Sequence, residues 1–263
     1  MPRTPKQYFR WLLSSIGLFD RTAFRLAIDE IRKDDVFIVS YPKSGNTWLR
    51  FIIANLIRNT EITFRNLDEA VPDIYTSAEK VNSLSSPRFI KVHYDWLDKF
   101  PKSIYIVRDY RDVLVSYYHY HLGTKEFRGN FSEYIRKVDE LHPFGAWKTH
   151  VKKALDFQSA NPERILLLRY EDLLQQPAKE IKKIISFTGI IPKRKVEEIV
   201  ALSEFAKLRA NEKEHGSEFM DLSGKNFFRE GKSGGWKERF SESDLSYIMQ
   251  TNGALLQQLG YEK

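Results

Sequence analysis

Four short apolar runs stand out along the chain: VFIVS (36–40), RFIKV (88–92), SIYIV (103–107) and RILLL (164–168). Their lengths of about five residues and their richness in Ile, Val and Leu predict strands buried on both faces. Between and after them, helix-like stretches cover 46–58, 110–121, 132–137 onward, 146–159 and 178–188, with a further helix over 193–202 after Pro192. Strands separated by helices need crossover connections, and crossovers make a parallel sheet covered on both sides. The predicted fold is therefore α/β, a central parallel β-sheet flanked by helices. We expect one domain over 1–263, with an N-terminal helical segment (1–34) and a C-terminal helix (241–263). Sheets of this kind bind ligands at the carboxyl ends of their strands.

Three segments have no clear period: 60–87, 122–131 and 211–235. Loops of that length in a compact fold usually serve as lids or binding loops, and one of them is expected to close over a substrate. The remaining composition narrows the picture. With 263 residues and 42% hydrophobic content, the chain can bury a sizeable core, which excludes wholesale disorder. The 42 Lys and Arg against 35 Asp and Glu leave a charge of +7, which favours anionic partners without choosing between nucleic acid and phosphorylated small molecules. The absence of cysteine excludes disulfides, thiolate metal sites, iron–sulfur clusters and a cysteine nucleophile, and fits a reducing, cytoplasmic setting. No run approaches the roughly 18 apolar residues of a membrane span. The nearest, FRWLLSSIGLF (9–19), is short, carries Arg10 and lacks a small-residue cleavage site; it reads as a helix on the domain edge, with membrane-surface docking as the alternative.

The chemistry concentrates at the predicted strand ends. After the first strand comes YPKSGNTW (41–48), leading directly into a helix. The helix N-terminus offers N–H groups and partial positive charge, Gly45 lets a ligand approach the backbone, and Lys43 adds a full charge. The bland alternative is a turn in which Asn46 or Thr47 caps the helix. The nucleotide-triphosphatase pattern GxxxxGK[ST] places its Lys after the second glycine; here Lys43 precedes Gly45, which disfavours a metal-dependent kinase. Arg108 closes the third strand, and Ser116 follows about 2.2 turns into the next helix. Arg108 could bind an anion or simply pair with Asp109 or Asp112. Near the C-terminus, FFREGKSGGWK (227–237) sets glycines among cations, and Arg229 could fork onto a phosphate. A flexible surface turn is the alternative there.

Taken in order and spacing, PKSGNTW, VRDYRDVLVSYYH and RxGxxGxWK resemble the cytosolic-type sulfotransferases over residues 35–240. YPKSG-x-TW looks like that family's P-loop-like phosphosulfate-binding loop. The VRD…VSYYH run is similar to its 3′-phosphate segment, and 229–237 to its C-terminal nucleotide loop. The resemblance implies metal-independent transfer of a sulfuryl group from 3′-phosphoadenosine 5′-phosphosulfate (PAPS) to an acceptor hydroxyl or amine, leaving 3′,5′-ADP. It implies that Lys43, Ser44, Gly45, Asn46 and Thr47 hold the 5′-phosphosulfate end of the donor. Arg108, Ser116, Arg229 and Gly231 would hold its 3′-phosphate, with Glu230 in the same loop. Trp48 would stack on adenine, with Tyr170, Ser203 and Phe205 as further base-pocket positions.

KVHYD (91–95) resembles the family's K-x-H segment, implying His93 as general base. Lys43 and Lys91 would neutralise charge on the departing phosphate oxygen. Ser116 resembles a serine that bonds the loop lysine until the 3′-phosphate draws it away, restraining futile donor hydrolysis. Two departures matter. Glu230 stands where the family often has Lys, removing a cation unless Lys232 compensates, and Asn46 replaces a common Thr. The family's dimer motif is not recognisable in WKERFSESDLSYI, leaving monomer and homodimer open. The expected partner is a small-molecule acceptor rather than nucleic acid. Trp96, Phe127, Phe144, Trp147 and Phe219 suit an aromatic or hydrophobic acceptor, held by loops at 60–87, 122–131 and 211–228. Aromatic platforms also stack on sugars, so a carbohydrate or other polar acceptor is the alternative. A P-loop nucleotide kinase and a non-catalytic nucleotide-binding homologue are the remote ones. His119 and His121, two apart on a helix, point different ways and make poor metal ligands; His142, His150 and His215 read as structural or solvated.

Overall fold

A computed structural model describes residues 30–139, 141, 144–216 and 231–261. The predicted N-terminal helix over 9–19, together with His142, Phe219, Arg229 and Glu230, lies outside the described residues. The four apolar runs form β1 (Val36–Val39), β2 (Phe89–Val92), β3 (Lys102–Val107) and β4 (Ile165–Arg169). All neighbours pair in parallel, in the order β2-β1-β3-β4. The register sets Ile38 beside Lys91 on one side and Ile104 on the other, so β1 and β2 end at one level and β3 runs two residues further, to Val107.

Alternate residues of β1 enter different cores, which explains its unbroken apolar run. Phe37 and Val39 pack with Tyr105, Val113 and Val151, whereas Val36 and Ile38 pack with Leu49, Ile53 and Ile184. The helices in chain order are α1 (Asn46–Ile57), α2 (Leu67–Ala70), α3 (Ala78–Ser83), α4 (Tyr110–Gly123), α5 (Phe131–Lys137) and α6 (Trp147–Ala160). They continue as α7 (Tyr170–Gln175), α8 (Pro177–Thr188), α9 (Val196–Leu202), α10 (Phe205–His215) and α11 (Glu242–Gln258). Helix α8 shows why its ends were legible: Pro177 opens it, and Gly189 closes it in the left-handed conformation.

Two expectations need correction. Segment 60–87 is not one aperiodic loop, since it contains α2 and α3, which are too short to display a 3.6-residue period. Arg50 of α1 anchors this segment by donating from Nε to the Val71 carbonyl at 3.0 Å and pairing with Asp68. Just beyond, residues 72–74 run parallel to β2, with Lys91 N–H on Pro72 O (2.9 Å) and Ile74 N–H on Lys91 O (3.2 Å). Likewise, α10 carries regular structure to His215, inside the segment 211–235.

Candidate active site

Strand β1 delivers the chain into the loop 41–45, and α1 leaves from it. Gly45 is the N-cap residue, with φ of 99°, and no side chain caps the helix. The capping alternative therefore fails: Asn46 Nδ2 turns back to β1, donating to Ser40 Oγ (3.0 Å) and Ile38 O (3.3 Å). Lys43 also has positive φ, 66°, a conformation a lysine adopts only when its surroundings impose it. The helix N-terminus consequently opens, with its partial positive charge, onto a cavity of about 710 Å³ lined by Lys43, Gly45, Asn46, Thr47 and Trp48. Ser44 is wholly buried and off the cavity wall, its Oγ lacking a hydrogen-bond partner.

The end of β3 supplies the second cation. Arg108 forms no ion pair with Asp109 or Asp112. Asp109 instead pairs with Arg111 (2.7 Å), and Asp112 accepts the N–H groups of Gly234 (2.7 Å) and Trp236 (3.0 Å). The Arg108 guanidinium lies 4.3 Å from the Tyr170 ring centroid and, among the described residues, donates only to main-chain oxygens, Lys43 O (3.4 Å) and Lys232 O (3.0 Å). Its Nε is buried with no hydrogen-bond partner among the described residues. A guanidinium between two cationic loops, ion-paired to no carboxylate among the described residues and reached by Asp112 and Glu171 only through longer-range attraction, can accept an anion. Ser116 and Tyr120, one turn apart on α4, line the same cavity, as do Gly231 and Lys232. The Lys43 ammonium lies 4.7 Å from the Tyr120 ring centroid rather than bonded to Ser116.

Beside these, Trp48 is held edge-on to Tyr170 (5.3 Å) and tilted against Phe205 (4.9 Å), and all three reach the cavity. Its indole N–H donates to Ser203 O at 2.8 Å. Ser203 itself is buried behind Trp48 and does not line the cavity, so it holds the tryptophan rather than facing the cavity.

Strand β2 brings the third group. Lys91 is buried and paired with Asp73, and both line the cavity. His93 points its Nδ1 at the Ser40 carbonyl, 2.9 Å away, with Ser40 Oγ at 3.4 Å. A carbonyl can only accept, so Nδ1 carries a proton, and in the neutral form of the ring the lone pair is on Nε2. His150 stands behind, donating from Nε2 to the His93 carbonyl (2.8 Å) and taking the Tyr105 hydroxyl at Nδ1 (2.6 Å). Burial holds the His150 ring below its ordinary pKa, which fits this neutral arrangement and a structural role.

Of the aromatic residues expected around an acceptor, Phe144 alone lines the cavity among the described residues. Trp147 is core, stacked on Tyr110 at 4.7 Å; Phe127 packs on Tyr134; Trp96 stacks on Tyr94 at 4.3 Å. Tyr75 and Tyr117 line the cavity as well. Sequence reasoning missed Tyr75 and Asp73 because they sit in the segment without a period; the dense polar and aromatic residues of PDIYTS were the available signal.

A strand–loop–helix cradle with orphaned buried polar atoms at Ser44 and Arg108, cations at separated points and an aromatic slot between them defines an α/β protein that binds an anionic nucleotide-like ligand. The residues present fit a donor charged at both ends. Comparison with known proteins makes the class specific. The sulfotransferase domain family model matches residues 33–260, running through α11 and so beyond the residue-240 limit of the motif resemblance. The chain is 33% identical over 238 residues to rat sulfotransferase 1 family member D1, covering 81% of this chain and 80% of that protein. It is 31% identical over 257 residues to bovine sulfotransferase 1E1, covering 86% of each. In fold it is similar to mouse sulfotransferase SULT7A1 complexed with PAP (TM-score 0.69, 22% identity, 88% of each chain). Retinol dehydratase in a complex with retinol and PAP is equally similar in fold (TM-score 0.69, 21% identity, 96% of this chain and 95% of that one). The chain belongs to the sulfotransferase domain family, and the protein is a sulfotransferase. Among the described residues no helix is long and apolar enough to cross a membrane.

Proposed function

We propose that this sulfotransferase transfers the sulfuryl group of PAPS to the hydroxyl of a small hydrophobic or aromatic acceptor, with His93 as general base. The observation that carries the reading is the His93–Ser40 hydrogen bond at the cavity wall, which makes Nδ1 a donor and so assigns the lone pair of the neutral ring to Nε2. When bound, PAPS supplies an activated sulfur whose bond to the 5′-phosphate oxygen breaks as the acceptor oxygen attacks.

The chain's own residues do the rest. His93 Nε2 takes the hydroxyl proton, work worth about 10²–10⁴-fold in rate. Lys43 and Lys91 place positive charge where negative charge grows on the phosphate oxygen, the kind of preorganised stabilisation that usually contributes most. The α1 N-terminus holds the 5′ end, while Arg108, Ser116 and Gly231 hold the 3′-phosphate, together with Arg229 in the same loop. Trp48, Tyr170 and Phe205 form the base slot. Tyr75 and Phe144 stand against the His93 ring, at 5.9 and 5.4 Å between centroids, and make an apolar wall for an aromatic acceptor. Thr76 lines the cavity beside Tyr75, which keeps a carbohydrate or other polar acceptor as the second reading.

The test has two arms. Titration with 3′,5′-ADP, 5′-ADP, or ATP with magnesium should raise thermal stability selectively for 3′,5′-ADP, by about 2.7 kcal/mol at 100 times its dissociation constant. Preference for ATP with magnesium would sink the donor assignment. His93→Asn should lower turnover of labelled donor with phenols or sugars, yet leave 3′,5′-ADP binding intact; undiminished turnover would remove His93 as the base.

A further inference from the structure

We propose that Asp73 is a positioning residue for sulfuryl transfer: its carboxylate fixes the Lys91 ammonium at the cavity wall. This inference rests on the reading of Lys91 as a charge that stabilises the leaving oxygen. The Asp73 and Lys91 side chains are 1% and 5% exposed and form an ion pair through Asp73 Oδ2 and Lys91 Nζ. Both nevertheless line the cavity. A buried ammonium without a partner is costly, so the pair sets where this cation resides. A lysine stem has four flexible carbons and would otherwise sample several positions.

The carboxylate is itself held. Its Oδ1 accepts the Tyr75 N–H at 3.0 Å, and the Asp73 N–H donates to Ser77 Oγ at 3.2 Å. The Asp73 carbonyl accepts from Ser77 N–H (2.8 Å) and Ser77 Oγ (3.1 Å), which locks the turn into α3. The same short segment serves the next functional position. The Tyr75 hydroxyl accepts the His93 N–H at 2.7 Å, and its ring lies 10° from parallel to the imidazole. Asp73 thus pairs with Lys91 across the short parallel bridge, and two residues further along each segment Tyr75 meets His93 through its hydroxyl and ring. This strap is the means by which the segment between β1 and β2 orients both groups.

The experiment compares Asp73→Asn, Lys91→Met and the double variant in the full chain, reading kcat with labelled donor and the dissociation constant of 3′,5′-ADP by calorimetry. If Asp73 acts through Lys91, each single change lowers kcat by about 10²-fold. The double variant then turns over within about twofold of Lys91→Met, and its 3′,5′-ADP affinity matches that of Lys91→Met within the same factor. Multiplying losses in the double variant, or an unchanged kcat in Asp73→Asn, overturn the inference. An unchanged kcat in Lys91→Met would instead overturn the role of Lys91 on which it rests. Removing both charges spares the fold an unpaired buried ion. Should Asp73→Asn alone fail to fold, the comparison of the double variant with Lys91→Met still decides.

Discussion

The Asp112 carboxylate accepts the Gly234 N–H at 2.7 Å, and so ties the C-terminal loop to the first turn of α4, directly after Arg108. The same carboxylate takes the Trp236 N–H, and the Arg111 guanidinium stacks over the Trp236 ring at 3.9 Å. Two stretches far apart in the chain are thereby fixed as one wall of the proposed 3′-phosphate site. Asp112→Ala removes both acceptors and should cost about 1–3 kcal/mol of stability through the unsatisfied N–H groups. It should weaken 3′,5′-ADP binding far more than it changes turnover at saturating donor. Calorimetric titration of the variant checks this; unaltered affinity would show that the loop seats itself without Asp112.

Gly45 presents a second, steric prediction. Its φ of 99° disfavours any side chain, and an added Cβ would lie 2.6 Å from Tyr170 Cδ2. Gly45→Ala should therefore destabilise the fold by about 1–2 kcal/mol from backbone conformation alone, with further cost from displacing Tyr170. Because Tyr170 also stacks under Arg108, 3′,5′-ADP affinity should fall with it. Urea unfolding and the same titration measure the two effects separately.

His121 gives the pH prediction. Its ring is buried, stacks on Tyr117 at 4.3 Å and lies 2.9 Å from the Tyr134 hydroxyl at Nδ1. Burial first, and the nearby Lys43 charge second, lower its pKa from 6.5 to about 4. The folded-state pKa of a base is thus depressed. Between those values the unfolded chain binds a proton that the folded chain refuses, so stability falls as pH drops through the window. His150, also lowered by burial, acts with the same sign. His121→Gln should flatten the fall of the melting temperature between pH 6.5 and 4 without abolishing it. A slope identical to the parent's would mean that His121 does not titrate in this range.

Much of the fold was legible because strand and helix signals are local. VFIVS and SIYIV announce buried strands by length and branching, and Pro177 and Gly189 mark helix ends by their own dihedral preferences. The motifs at 41–48 and 108–116 were legible for the same reason: loop, charge and helix start are consecutive. What failed was also informative. Helices α2 and α3 span four and six residues, too few to show a period. Trp147 and Phe127 carry the composition of a pocket wall but pack against the core, and the way a side chain turns, on a helix or in a loop, depends on what packs against it.

The sequence by itself determined where the strands lie, that they pair in parallel, and which loop joins a cation and a glycine to a helix start, since each depends on residues within a few positions of one another. Tertiary structure alone decided the order β2-β1-β3-β4, the tautomer of His93, the partner of Lys91 and the seat of the C-terminal loop. His93 meets Ser40 across 53 positions, Lys91 meets Asp73 across 18, and Gly234 meets Asp112 across 122. No local pattern encodes such pairs. They form because folding buries polar groups that must then find partners, and the packed sheet determines which partner is within reach.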